Sequence, residues 1–176
     1  MTPLFDRFHA TTTALNRWVR RVAGLLFALM LLIMLFQVAA RYIFSSPPVW
    51  SEELARWLMV WGGLLGASVA FHTHADPAMV KAPLDSLRRQ KIQAVARLIA
   101  AFGFFLPVLW YSWPFLLRQI NQPSEGMQIS SAWMVSALPV AAILICLHAL
   151  AGLGAVWSPR IRAAEIEKQR QGHGDS

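Results

Sequence analysis

The sequence contains a single cysteine and few acidic residues. Cys146 stands alone among 176 residues, so no disulfide can form within the chain and no cysteine cluster can bind a metal ion. The nine aspartates and glutamates avoid the middle of every long apolar run, where a self-sufficient proton-coupled pump would need a buried acid. The chain also lacks a nucleophile with its base, a phosphate-binding glycine loop and a metal-ligand spacing. We therefore expect no enzymatic activity, no metal and no cofactor.

Four long apolar runs make up most of the chain. A helix needs about 20 mainly apolar residues to cross a hydrocarbon core of about 30 Å. A soluble helix would need a polar face, and a β-barrel would need many short alternating segments. The sequence therefore predicts an all-α integral membrane protein with four transmembrane helices. The predicted spans cover about residues 22–44, 52–71, 94–117 and 129–157, within a membrane domain of residues 22–157.

The basic residues collect before the first run, between the second and third, and after the fourth. This distribution explains the net charge of +7 without a nucleic-acid partner. By the positive-inside rule, both termini and the middle loop are cytoplasmic, and the first and third loops face outward. The uninterrupted apolar part of the first run, Val22 to Ala40, has 19 residues and exceeds the apolar part of a signal peptide, about 7 to 15 residues, so we expect it to remain as a span.

Residues 1–21 combine apolar and basic side chains at helical spacing. This pattern predicts an amphipathic helix on the cytoplasmic membrane surface, bound either to lipids or to a partner protein. The residues expected to contact that surface are Phe5, Phe8, Arg17, Trp18, Arg20 and Arg21. Residues 158–176 form a polar cytoplasmic tail that we expect to be disordered.

The densest group of charged and aromatic side chains lies where the first two spans meet the outer surface. We call it the hairpin cluster: Arg41, Tyr42, Trp50, Glu52, Glu53, Arg56 and Trp57. Arg41 and Arg56 should lie near the membrane interface and face protein or a carboxylate, so the cluster either holds the hairpin together or docks to a larger membrane subunit. Ser51 is expected to cap the second helix, with acids in its first turn.

The second span contains small residues at an interval of four: Gly62, Gly66 and Ala70, with Gly63 and Ala67 beside them. Such spacing lets another helix approach closely, either within this chain or from a partner.

Three histidines, His72, His74 and His148, suggest a different class of protein, one that binds haem. A haem held between two spans would need two axial histidines, and His72 with His148 is one conceivable pair. A haem-bearing membrane anchor of a respiratory oxidoreductase is therefore an alternative, with loop or interfacial histidines as the simpler interpretation. A free-standing small transporter is a third possibility.

The hairpin cluster also resembles a known family. The stretches Arg41-Tyr42-Ile43-Phe44 and Trp50-Ser51-Glu52-Glu53-Leu54-Ala55-Arg56, followed by Trp61, Gly66 and His74, are similar to the small membrane (Q-type) subunit of tripartite ATP-independent periplasmic (TRAP) transporters. Ile129, Trp133 and Pro139 resemble that family's final helix. After His74 the chain reads Ala75-Asp76-Pro77, where the family more often has apolar residues.

The resemblance implies a bacterial inner-membrane complex that imports small organic acids with Na⁺. In such systems an extracytoplasmic binding protein delivers substrate, and a large membrane subunit holds the substrate and sodium sites. The resemblance implies that this chain is a scaffold without a transport route, whose cluster and Gly62/Gly66 face abut the large subunit. The loops around Trp50 and from Gln119 to Gln128 are expected to face the binding protein.

Overall fold

Four long helices and one short helix form the part of the chain that the computed structural model describes, residues 2–43, 48–72 and 87–157. The helices are α1 (Thr2–Ile43), α2 (Val49–His72), α3 (Leu87–Gln119), α4 (Ala132–Val135) and α5 (Ala137–Trp157). Four helical segments are long and apolar enough to cross a membrane: one each in α1, α2 and α3, and one, Ala132–Leu153, that runs from α4 into α5. The described residues form no β-strand, only an isolated bridge between Pro123 and Ser130. The predicted all-α class with four transmembrane helices is confirmed.

Helix α1 carries the predicted arm and the first predicted span without interruption. Its 42 residues extend about 63 Å at 1.5 Å per residue, roughly twice the hydrocarbon thickness. Buried Val19 and Ala23, then half-buried Leu26 and Met30, follow at alternating intervals of four and three, the spacing of helices packed side by side. This stripe lies along α2. The surface position of residues 1–21 and the orientation of the termini stay predictions, and the tail 158–176 lies outside the described residues.

Helix α2 begins directly after a proline, two residues before the predicted cap. Its first residue is Val49, and the hydroxyl of Ser51 donates a 2.7 Å hydrogen bond to the carbonyl of Pro48. The prediction that Ser51 caps this helix is wrong, because Ser51 lies inside the first turn and its hydroxyl acts as a donor there.

Helix α5 contacts all three other long helices and forms the centre of the bundle. Its buried face is rich in alanine: Ala137, Ala141, Ala142, Ala149 and Ala151. Small side chains let neighbouring helices approach closely, and close approach strengthens dispersion contacts in lipid. One apolar cluster joins α1 and α2 through Val19, Ala23 and Leu65, with Leu144 of α5 packed against it. α5 therefore fixes the α1–α2 hairpin against the rest of the bundle.

The α3–α4 loop, residues 120–131, is closed by its own hydrogen bonds. The amide of Ser124 donates to the carbonyl of Ile129 at 2.8 Å, and the amide of Ser131 donates to the carbonyl of Gln122 at 2.9 Å. The hydroxyl of Ser130 donates to the carbonyl of Ile120 at 2.8 Å. These bonds satisfy backbone groups that a loop otherwise leaves to water, so this loop has a defined shape.

Candidate functional site

Glu53 joins the start of α2 to the α3–α4 loop. Its Oε2 atom accepts hydrogen bonds from the backbone amides of Gly126, at 2.7 Å, and Met127, at 3.0 Å. A carboxylate that accepts from two amides makes charge-assisted bonds, which are stronger than those between neutral groups. Glu53 is the fifth residue of α2 and lies just beyond the first turn, whose one acid is Glu52, so the expectation that both acids lie in the first turn is corrected for Glu53. The half-buried carboxylate therefore clamps a distant loop to the hairpin.

The clamp requires glycine at position 126. A Cβ atom there would lie 2.8 Å from Oε2 of Glu53 and 3.1 Å from the carbonyl oxygen of Val49. Sequence reasoning placed Glu53 in the hairpin cluster but missed Gly126 as its partner. The one available signal was a glycine within a polar loop, and that signal does not identify the group it approaches.

The other charged members of the hairpin cluster point outward. Arg41, Glu52 and Arg56 are exposed and form no ion pair with any residue that the structure describes. Arg41 and Glu52 line a cleft of about 440 Å³ between the end of α1 and the start of α2, together with Met34, Gln37, Pro48 and Val49. The structure therefore brings these charges to one end of the bundle without pairing them.

The aromatic members of the cluster divide between the interior and the surface. Trp57 is buried, with 8% of its surface exposed, whereas Tyr42 is 82% exposed. Trp50 stacks on Phe36 of α1, with ring centroids 6.3 Å apart. The Trp50–Phe36 stack thus connects α2 to α1 in the hairpin, while Tyr42 presents its ring to the surroundings.

The small residues of α2 also divide into two groups. A Cβ atom on buried Gly62 would lie 3.2 Å from the ring of Phe27. Glycine at this position therefore lets α1 pack closely against α2. Gly63 and Gly66 have no such neighbour within 4 Å, and Ala67 is exposed. Ala70 is half-buried. The internal helix contact therefore uses Gly62, and Gly63 with Ala67 faces away from the bundle.

The basic side chains of the predicted arm lie on the outside of α1. Arg17, Arg20 and Arg21 are exposed, and Trp18 is 66% exposed. Phe5 and Phe8 belong to α1, but their side chains lie outside the described ones, as does the whole of His74. The exposed arginines and Trp18 are available to a membrane surface or a partner, which leaves both interpretations of the arm open.

A polar cluster lies at the opposite end of the bundle from Glu53. Nδ1 of buried His148 lies 3.2 Å from both the hydroxyl and the carbonyl oxygen of Ser68, which connects α5 to α2. The side chain of Arg97 donates a 2.9 Å hydrogen bond to the carbonyl of Phe71 and stacks over the Phe71 ring at 4.6 Å. Arg97 thereby satisfies a carbonyl in the last turn of α2. Sequence reasoning missed both connections.

The geometry of the two described histidines does not suit a haem. The rings of His72 and His148 have centroids 4.6 Å apart and planes tilted by 52°. Two axial imidazoles on an iron would place their centroids about 6 Å apart on opposite sides of a porphyrin, since each metal–nitrogen bond takes about 2 Å. These two rings contact each other directly, and no porphyrin fits between them.

The region that contains the α1–α2 hairpin, the Glu53 clamp and α5 matches a known family. Residues 30–158 match the family model described as "Tripartite ATP-independent periplasmic transporters, DctQ component". The chain belongs to this DctQ family. The resemblance inferred from the hairpin cluster is therefore confirmed, and this DctQ chain is a multi-pass protein of the inner membrane and a component of a TRAP transporter.

Two relatives extend this comparison. The sialic acid TRAP transporter permease protein SiaT of Haemophilus influenzae is 32% identical over 139 residues, which cover 74% of this chain and 21% of that protein. The sialic acid TRAP transporter small permease protein SiaQ of Vibrio cholerae is 25% identical over 127 residues, 71% of this chain and 73% of that protein. The DctQ chain thus spans about a fifth of the length of the Haemophilus relative.

Proposed function

We propose that this DctQ chain is a non-catalytic scaffold of a Na⁺-coupled, binding-protein-dependent TRAP importer of small organic acids. The observation that carries the proposal is the family match across the helical bundle. The distribution of acidic residues is consistent with a scaffold: α3, α4 and α5 contain none, and α2 contains only Glu52 and Glu53, both near its start. Ion pathways through membranes are usually marked by ionisable side chains within the spans. Such side chains are scarce here, so we assign solute movement to another part of the transporter.

The moving part is proposed to be a large TRAP membrane subunit. In the Haemophilus permease, the region similar to this chain is about a fifth of the polypeptide. That arrangement supports the proposal that this region works beside a larger permease region, on the same or a separate polypeptide. A scaffold anchored in lipid would hold the large subunit at a fixed depth while its mobile parts move.

The α3–α4 loop is the proposed contact for the extracytoplasmic binding protein. Under the orientation predicted from the basic residues, this loop and the start of α2 lie on the outer side. The loop presents exposed polar side chains, among them Asn121, Gln122, Glu125 and Gln128. Because Glu53 and the internal hydrogen bonds hold it in shape, docking costs little conformational entropy.

Transport by defined components tests the proposal. Proteoliposomes would contain this chain alone, the cognate large permease subunit alone, or both, with the binding protein outside and a panel of labelled organic acids. Sialic acid belongs in the panel because both relatives carry it in their names. We expect uptake that depends on an inward Na⁺ gradient, requires the large subunit and binding protein, and increases when this chain is present. Uptake by this chain alone would refute the scaffold assignment.

Cysteine labelling tests the orientation separately. The native Cys146 is buried, so an introduced cysteine reports its own location. Gln122→Cys in the α3–α4 loop should react with a membrane-impermeant maleimide from the periplasmic side. Arg89→Cys, exposed at the start of α3, should react only after the cells are opened. The reverse pattern would place the loop in the cytoplasm and remove it as a contact for the binding protein.

A further inference from the structure

One exposed side of α2 is made of charged and very small residues. Glu52, Arg56, Gly63 and Ala67 are exposed, and Met59 between them is 51% exposed. Their intervals of three, four and seven place them along one side of the helix. Gly63 has no heavy atom of another element within 4 Å of its Cβ position. This side, the α2 outer face, is therefore left uncovered by the rest of the described bundle.

The exposed side of α1 has a different composition. Leu25, Leu32 and Leu35 are between 63% and 68% exposed and are all large and apolar. Lipid tails pack readily on such side chains, whereas a smooth glycine–alanine surface gains most from another helix at close range. The contrast indicates that the α2 outer face contacts protein.

Arg56 specifies the charge of that protein. It lies seven residues after the start of α2, about 10 Å along a 24-residue helix that extends about 36 Å. This position is at or inside the outer boundary of a hydrocarbon core of about 30 Å. A guanidinium near that boundary gains most from an acidic partner, and the described residues provide no ion pair for it.

We propose that the α2 outer face receives a transmembrane helix of a larger membrane protein, with an aspartate or glutamate level with Arg56. Gly63 and Ala67 allow the two backbones to approach about two and three turns below the ion pair. This inference rests on the proposed function and identifies the surface that the large subunit contacts. A parallel second copy of this chain fits less well, because it would place two arginines at the same height and its Glu52 about one turn away from that level.

The cleft at the outer end of the α1–α2 hairpin continues this surface. Glu52 belongs to both, and the cleft of about 440 Å³ also presents Gln37 and Arg41. Polar groups of the same partner can bond to these three side chains, and the remaining, apolar lining of the cleft can pack against apolar side chains of that partner. The proposed contact therefore extends from Ala67 to this cleft.

Copurification of the full chain with its cognate large permease subunit tests the face. Arg56→Glu and, separately, Gly63→Leu should each weaken binding at least tenfold in detergent or nanodiscs. The matched controls are Arg118→Glu, an exposed arginine at the end of α3, and Gly24→Leu, an exposed glycine of α1 with nothing within 4 Å. Both controls should bind like the wild type. Retained helical circular dichroism and a monodisperse elution profile show that each variant is folded.

Crosslinking from Ala67→Cys identifies the occupant even if a charge variant fails to fold. A crosslink to the large subunit, near an acidic residue whose change to lysine restores binding of Arg56→Glu, supports the proposal. A crosslink only between two copies of this chain, or no protein crosslink in the intact complex, overturns it. If the complex forms and all α2 variants bind normally, the α2 outer face is not the contact surface, and the proposed scaffold function is unaffected. If the wild-type chain forms no complex, both proposals fail.

Discussion

Removing the Glu53 carboxylate should release the α3–α4 loop. Glu53→Ala deletes an acceptor that receives two backbone hydrogen bonds, of 2.7 Å and 3.0 Å. A hydrogen bond to a charged group contributes about 1.5–3 kcal/mol. Because Glu53 is half-buried, water can replace part of this interaction. We therefore expect a loss of about 2–4 kcal/mol in the free energy that keeps the loop closed.

Amide hydrogen exchange measures this loss directly at the two donors. Since about 1.36 kcal/mol corresponds to a tenfold change, the amides of Gly126 and Met127 should exchange about 30-fold to 900-fold faster in Glu53→Ala. Glu53→Gln keeps an oxygen acceptor without the charge, so its effect should be intermediate. Amides in the middle of α5 should exchange as in the wild type.

Glu52→Ala is the matched control. Glu52 is the same residue type, one position earlier, but it is exposed and forms no ion pair with any described residue. Its removal should leave exchange at Gly126 and Met127 unchanged. Equal acceleration in both variants, or none in Glu53→Ala, would refute the clamp.

Three further changes test helix packing by unfolding of the purified chain. Gly62→Val should destabilise it by about 1–3 kcal/mol, because a Cβ atom there lies 3.2 Å from the Phe27 ring. Arg97→Ala should cost about 1–3 kcal/mol, since it removes the donor to the Phe71 carbonyl and the guanidinium stacked on that ring. Trp61→Phe should cost about 0.5–1.5 kcal/mol, because it deletes the indole N–H that donates to a carbonyl of α4 at 2.9 Å.

Each of these changes has a control of the same type on the exposed surface. Gly24→Val has open space at its Cβ position, Arg89→Ala removes an exposed arginine, and Trp110→Phe changes an indole that is 78% exposed. All three controls should stay within about 0.5 kcal/mol of the wild type. A control that destabilises as much as its partner would show that the named contact does not carry the effect.

The hairpin cluster shows what a local sequence pattern can and cannot predict. Its residues were enough to indicate the family, because Arg41, Trp50 and the paired acids lie close together in sequence. The contacts of the individual side chains could not be predicted from the sequence in the same way. Glu52 and Arg56 are four residues apart, a spacing that favours ion pairs on helices, yet the structure shows both exposed and without an ion pair among the described residues. An ion pair between exposed side chains is only slightly more favourable than the hydration of the two separate charges. Spacing alone therefore does not decide whether the pair forms.

The glycines of α2 illustrate the same limit. Spacing of four predicted a helix contact through Gly62 and Gly66, but the contact with Phe27 is at Gly62, and the Cβ position of Gly66 has no neighbour within 4 Å. Which glycine meets a neighbour depends on the rotation of α2 about its axis. That rotation is fixed by the whole interface, including Leu65 and the α1 side chains packed on it.

The sequence by itself determined that this protein is a bundle of four membrane helices and a DctQ component, because span length and apolar content are properties of consecutive residues. Only the tertiary structure decided that Glu53 holds Gly126, 73 residues away, and that Arg97 meets the end of α2. It also decided which side of α2 remains uncovered. These contacts join distant segments, and their geometry follows from the depth and rotation of packed helices, which no local spacing specifies.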